Sequence, residues 1–511
     1  MCPANESGAT IVSDPLIQTD VEEKGVECDM INRDNQRILH GILHRLPLTE
    51  LSEDMRSLGK IVCPITTMTL LLHSKSVISM LFLGHLGDAQ LAGGALAISF
   101  ANITGFSVIK GMSMGMEPIC CQAFGAKKLS VISQTFQKTL CILLFTAILI
   151  SILWLNMEPI LLFLGQDKAI IDVAKLYLKF SIPELIAQVH LHPLRSFLRS
   201  QCITKPLTIA TMLCLFLHLP INYLLVNYLK LGVKGVAIAS ACNTINLDMS
   251  ILVYLLCSNM EPKPWSGLTI SSPFQGWKTV LNLAIPSVLA VCLEWWWYEI
   301  MLFLCGLLEN PKASVAAMGI LIQTTGLLYV FPHALSMGLS TRIGHELGAS
   351  QPIKAQRLAV LGLVLALTLG VTAFGLTLGV KSVWGKIYTS DHDILSLITC
   401  ALPVLGFCEI GNCPQTAACG VLTGSARTKL GAKINFIAFY LVGLPIAVAF
   451  AFWVKTGFIG LWFGLAAAQA ACMCMMIYTL ITTDWKHQAK RSEELTQNAD
   501  QTEDLETALL S

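Results

Sequence analysis

The chain is divided into apolar runs of roughly 20 residues, the length an α-helix needs to cross a hydrocarbon layer of about 30 Å. Twelve such runs can be marked, beginning at about Gly59–Leu83 and ending at Gly457–Ile481. Among them are Leu91–Met112, Thr279–Leu304, Ala313–Leu335 and Ile394–Pro414. A soluble core cannot absorb this much apolar surface. Of 511 residues 54% are hydrophobic and only 13% charged, with a mean hydropathy of +0.64, so the surplus must face lipid. The sequence therefore predicts an all-α integral membrane protein.

A formal net charge of +1 leaves no basic footprint for nucleic acid. The 18 cysteines follow no disulfide or metal-ligand spacing and read as small apolar residues. Residues 1–55 are polar and lack the apolar stretch of a cleaved leader, so they are expected to be a disordered cytoplasmic tail. Residues 483–511 are expected to be a second short, charged and disordered tail. Basic residues assigned to loops number 16 on the side of the termini, Arg195 and Arg199 among them, against seven on the other. That bias predicts both termini in the cytoplasm. It does not say whether the membrane is the plasma membrane, the vacuolar membrane or another endomembrane.

The chain also repeats itself at a separation of about 220 to 225 residues. Pro64 recurs as Pro286, Ser113-Met114-Gly115 as Ser336-Met337-Gly338, and Gly125-Ala126 as Gly348-Ala349. Pro183 and Pro193 answer Pro403 and Pro414, and Pro220, Gly232 and Gly235 answer Pro445, Gly457 and Gly460. Matches in one order along the chain indicate duplication: a six-helix lobe at 56–258, a cytoplasmic linker at 259–276 and a second six-helix lobe at 277–482. An even number of helices per half makes the halves parallel repeats, which places a cavity at their interface near the bilayer midplane.

The repeated segments carry a family resemblance. Gly84-His85-Leu86-Gly87, Ser99 to Gly105, Gln122-Ala123-Phe124-Gly125-Ala126, Leu293 to Glu299, Glu346-Leu347-Gly348-Ala349, Gly420 to Gly424 and Val442-Gly443-Leu444-Pro445, taken together and in order, resemble the multidrug and toxic compound extrusion (MATE) transporters, particularly a plant branch. The resemblance implies two bundles in a V that expel small amphipathic organic solutes by antiport, with protons the usual coupling ion in plant members and sodium in some bacterial ones. It also implies a coupling acid in the seventh helix, here Glu294. Many relatives place another acid in the tenth helix, three residues before a glutamine. Here Asn412 stands in that place before Gln415, with Glu409 one turn earlier.

An ionised side chain at mid-bilayer costs on the order of 3 kcal/mol, so polar residues inside the runs must face the protein or a wet cavity. Glu184, Asp248, Glu294, Glu299, Glu409, His73 and Lys75 all fall there. Glu294 and Glu409 are the candidate proton-coupling acids. Tyr298, one turn from Glu294, is its candidate hydrogen-bond partner, whereas Glu299 lies about 140° round the helix. Gln323, Asn412 and Gln415 are candidate cavity residues alongside Lys75, His73, Glu184 and Asp248. Pairing of Lys75 with Glu184 or Asp248 stands beside substrate contact as its role. Trp295, Trp296 and Trp297 are consecutive and so point round the helix, with at most one or two of them free to line a pocket. Lys110 is read as snorkelling from a helix end.

No nucleophile or metal constellation appears, and no cofactor is expected. His345-Glu346 is not followed by histidine at Ala349, so the zinc-protease pattern fails. The turn Phe124 to Leu129 lacks the charged signature of major facilitators. These features point away from an enzyme and toward a monomeric transporter, with a lipid flippase or a sodium-coupled exchanger on the same fold as alternatives.

Overall fold

The computed structural model describes residues 48–163, 166–266 and 277–510. The described residues form long helices and no strand: α1 Leu48–His85, α2 Ala89–Gly125, α3 Leu129–Leu155, α4 Lys168–Ser200, α5 Lys205–Tyr228, α6 Val233–Cys257, α7 Trp277–Cys305, α8 Pro311–Gly348, α9 Pro352–Val380, α10 His392–Gly424, α11 Thr428–Trp453 and α12 Phe458–Ile481. Eleven are long and apolar enough to cross a membrane. The remaining one, α4, has the length but carries more charge, and its charges prove central.

Local chemistry sets the starts of these helices. Asp167 caps α4 by accepting from Ala169 N at 2.7 Å, and Asp391 caps α10 by accepting from Asp393 N at 2.9 Å and Ile394 N at 3.2 Å. Asn310 caps α8 ahead of Pro311. The repeated glycines Gly232 and Gly457 open α6 and α12 with φ of 60° and 58°, a conformation that explains why glycine recurs there. Outward faces are apolar rather than polar: Phe145, Ile148, Leu149 and Ile152 of α3, and Ile209, Leu213 and Phe216 of α5, are exposed at helical spacing, as lipid requires.

Several expectations change. The unstructured reading of 1–55 falls mostly outside the described residues, but the chain is already helical at Leu48. The segment after Ile481 is a helix, α13 (Trp485–Leu510), which packs on α2 and α3 of one half and on α8 and α9 of the other. Its inward residues, Trp485, Ser492 and Thr496, are buried, so packing orders a sequence whose composition is polar. The linker is pinned as far as Ser266: Ser133 Oγ donates to Lys263 O at 2.8 Å, and Gln137 Nε2 donates to the carbonyls of Pro264 and Ser266. Helices α2 and α8 run about 13 residues past the ends read from apolarity, to Gly125 and Gly348.

Those extensions join the two halves, at the end of the bundle where α13 lies. A Cβ on Gly125 would stand 2.1 Å from His345 O, and one on Gly348 2.0 Å from Gln122 O. Both pairs are related by the same offset of 223 residues, as are Cys121 and Gly344, which touch each other. The interface is thus isologous about an internal pseudo-two-fold axis. Gln122 Nε2 donates to Gly424 O at 2.9 Å, His345 Nε2 donates to Ser200 O at 2.7 Å, and Arg357 pairs with Glu50 and Asp54. These contacts close the α13 end.

Candidate functional site: a charged cavity between the two halves

Away from the closed end, the lobes enclose a cavity walled by α1, α2, α4, α6, α7, α8, α10 and α11. Its part on the N-terminal half holds about 1260 Å³ including the open mouth, room for a drug-sized molecule. Trp295 borders every part of it. Trp296 is exposed, and Trp297 is buried in the C-terminal half against Phe439 at a centroid distance of 5.7 Å. Only one of the three consecutive tryptophans therefore lines this cavity.

Glu294 forms part of the wall with Gln415, Tyr329 and His333. Lys110 of α2 lies within electrostatic reach, and the Tyr329 hydroxyl is beside the carboxyl. Tyr298 packs against the C-terminal core within reach of both Glu409 and Glu294. The Gln415 Oε1 is buried and has no hydrogen-bond partner. Glu409 is enclosed by its own helix and α12: its Oε2 accepts from Asn412 Nδ2 at 2.9 Å, and Asn412 Oδ1 accepts from Gln469 Nε2 at 3.3 Å. The two coupling candidates thus occupy unlike places, Glu294 in the wall and Glu409 in a polar network behind it. Glu299 is exposed one turn beyond Trp295.

In the N-terminal half, Lys75 Nζ donates to Glu184 Oε1 at 2.8 Å, and Thr244 Oγ1 joins them at 3.2 and 3.1 Å. Asp248 is not the partner of Lys75; it accepts from His190 Nδ1 at 2.7 Å. His73 and Gln323 line the cavity from α1 and α8.

The charged residues that apolarity concealed are Lys110, Glu117, His192, Arg195, Arg199 and His333. Lys110 is far from either end of α2 and borders the whole cavity, which overturns its reading as a snorkelling residue. Arg195 and Arg199 are inside α4 rather than in a loop, so they leave the loop count that oriented the chain. Arg199 Nη2 donates to Glu117 Oε2 at 2.5 Å, and Arg199 Nη1 reaches Met337 Sδ of the other half at 3.5 Å. Among the described residues no cluster of His, Cys, Asp and Glu is arranged to hold a metal, and every described cysteine is free.

Two six-helix halves around a charged, aromatic-walled cavity, closed at one end, define a multi-pass membrane transporter that works on small molecules. The MatE family model matches residues 64–224 and again 286–449, once for each half, and the chain belongs to this family of efflux transporters. It is 59% identical over 450 residues to Protein DETOXIFICATION 53 of Arabidopsis thaliana, covering 88% of this chain and 93% of that one. Protein DETOXIFICATION 48 of the same plant is 52% identical, with 87% and 83% covered. Among solved structures, the eukaryotic MATE transporter AtDTX14 superposes with a TM-score of 0.83 at 29% identity, covering 87% of this chain and 99% of its own. The Vibrio cholerae MATE transporter VcmN in its bent form shares the fold, with a TM-score of 0.73 at 19% identity and 88% and 99% covered.

Proposed function

We propose that this chain expels or sequesters small organic solutes in exchange for protons, its lobes 56–258 and 277–482 alternating about the linker 259–276, with both termini cytoplasmic. Glu294 carries the reading. It is an acid in the wall of the interfacial cavity with no ion pair within 4.0 Å among the described residues, so taking up a proton breaks no bridge among them. Its neighbours favour a proton over sodium: a sodium ion beside Glu294 would sit next to Lys110, whereas a proton on the carboxyl removes charge and needs no further ligands. Glu409, held by Asn412 and Cys413, serves as the second acid of the same half.

The test is reconstitution in liposomes with an imposed pH gradient and a panel of organic cations, anions and neutral phenolics. Glu294→Gln keeps the side chain's shape but cannot titrate, and it is expected to insert at wild-type levels while gradient-driven exchange falls to background. Exchange at the wild-type rate by a well-expressed Glu294→Gln protein refutes the assignment and passes the role to Glu409.

A further inference from the structure

Two cations bordering the cavity have no partner in contact among the described residues. Glu184 is bonded to Lys75, Glu117 to Arg199 and Asp248 to His190. Lys110 and Arg195 remain. Neither makes a hydrogen bond or ion pair among the described residues, and Arg195 Nε is buried without a partner. The nearby acids act on them only at longer range, Glu294 on Lys110 and Asp248 on Arg195. Both cations border the part of the cavity on the N-terminal half, together with His192, Gln188 and the exposed face of Trp295. Cations without a partner in contact are costly to keep at membrane depth, and Glu294 is the wall acid without an ion-pair partner among the described residues.

We propose that Lys110 and Arg195 form a recognition site for the carboxylate or phenolate of an amphipathic organic anion whose ring system lies against Trp295. The site commits the cavity to acidic over basic solutes. Arg195 offers planar, paired donors, Lys110 supplies a second point of charge from the neighbouring helix α2, and the Gln188 amide, whose Oε1 has no partner, can turn its NH₂ toward the ligand. Apolar side chains at Leu72, Ile98, Phe106 and Val291 share the rest of the lining with polar ones such as Ser76 and Asn102, giving the body of such a ligand apolar surface to lie against. The inference rests on the proposed transport function only in taking this cavity as the solute's. It has an electrical consequence: an anion moved out for a proton moved in transfers two charges per cycle, whereas a cation exchanged for a proton transfers none.

The experiment is equilibrium binding of three probes of one shape, naphthoate, naphthalenemethanol and naphthylmethylammonium, to the purified full-length protein in detergent, read by calorimetry. Naphthoate is expected to bind at least about tenfold more tightly than the alcohol, and the ammonium more weakly still. Lys110→Met and Arg195→Gln should each weaken naphthoate by about tenfold or more while leaving the alcohol within about twofold, and Lys110→Arg should restore it. Equal binding of the ammonium, undiminished naphthoate binding by both charge-removing variants, or no naphthoate binding to the wild type at millimolar concentration overturns the proposal. Because binding needs no gradient, these outcomes are independent of the Glu294→Gln transport result. Proton exchange can fail with the anion site intact, and the reverse.

Discussion

Closure at the α13 end depends on two glycines, and adding one methyl group to each is a direct way to open it. In Gly125→Ala the new Cβ would lie 2.1 Å from His345 O, and in Gly348→Ala 2.0 Å from Gln122 O. A carbon–oxygen contact settles at about 3.3 Å, so the halves must part by more than about 1 Å, and neither oxygen can yield alone because both belong to helix backbone. Overpacking of this kind costs about 1–3 kcal/mol, which lowers the closed population about 5- to 150-fold relative to the open one. The sites are pseudo-symmetry mates acting on one motion, so the double variant should cost less than the sum of the two. Spin labels on Lys205 and Ser350, exposed residues of opposite halves at this end, read the motion as a distance distribution. Each variant should deplete the short-distance population, whereas Gly59→Ala, whose Cβ meets nothing within 4 Å, should leave it unchanged. Distributions for Gly125→Ala and Gly348→Ala that superpose on wild type would refute the claim that these contacts hold the end shut.

Lys75→Met breaks a 2.8 Å ion pair whose side chains are only 13% and 8% exposed and should destabilise by about 3–5 kcal/mol. A thermal melt should show the loss, with Lys75→Met/Glu184→Met recovering most of it; an unchanged melt with lost anion transport would instead make Lys75 a solute contact. Removing 485–510 takes away buried Trp485, Ser492 and Thr496 and should lengthen the Lys205–Ser350 distances, since α13 packs on both halves; identical distances would deny it a clasping role. If both termini are cytoplasmic, a tag on either should react only after permeabilisation, while the Asn310–Lys312 turn reacts from the opposite side; labelling of one terminus in sealed cells would break the even helix count.

The twelve spans were legible because lipid imposes a uniform rule on every outward face, and the duplication was legible because backbone requirements recur. Gly232 and Gly457 share a positive φ. The ends of α2 and α8 were missed for a related reason. Beyond Met112 and Leu335 these helices face each other rather than lipid, so small and polar residues replace apolar ones and the hydropathy signal stops before the helix does. The repeated Gly125-Ala126 and Gly348-Ala349 held the missing information, since a recurrent glycine marks close backbone approach. Placing the helix end at Met112 made Lys110 look terminal and left Glu117 outside the membrane. Counting Arg195 and Arg199 as loop charges hid their place in the same cavity. Glu294, Lys75 and Glu184 were legible because they interrupt otherwise apolar runs, whereas the exchange of partners that gives Asp248 to His190 depends on helix rotation and cannot be read from spacing.

The duplicated scaffold carries an unduplicated chemistry. At the offset that relates Gly125 to Gly348, Lys110 corresponds to His333 and Glu117 to Ser340; at that relating Pro193 to Pro414, Arg195 corresponds to Thr416 and Arg199 to Gly420; and at that relating Pro64 to Pro286, Glu294 corresponds to Leu72. All of these residues line the cavity, so the pseudo-two-fold axis brings unlike groups to equivalent places. The packing positions obey the symmetry, because a joint between two similar bodies works when each offers the other the same surface. The cavity positions break it, placing Lys110 and Arg195 on the N-terminal half and Glu294 on the C-terminal half. A symmetric cavity would give the solute and the proton equivalent sites in both halves and so let each displace itself. If exchange runs as proposed, division between halves lets one lobe hold the solute's charge while the other holds the proton, and makes the joint that both lobes share the element through which each would sense the other's occupancy.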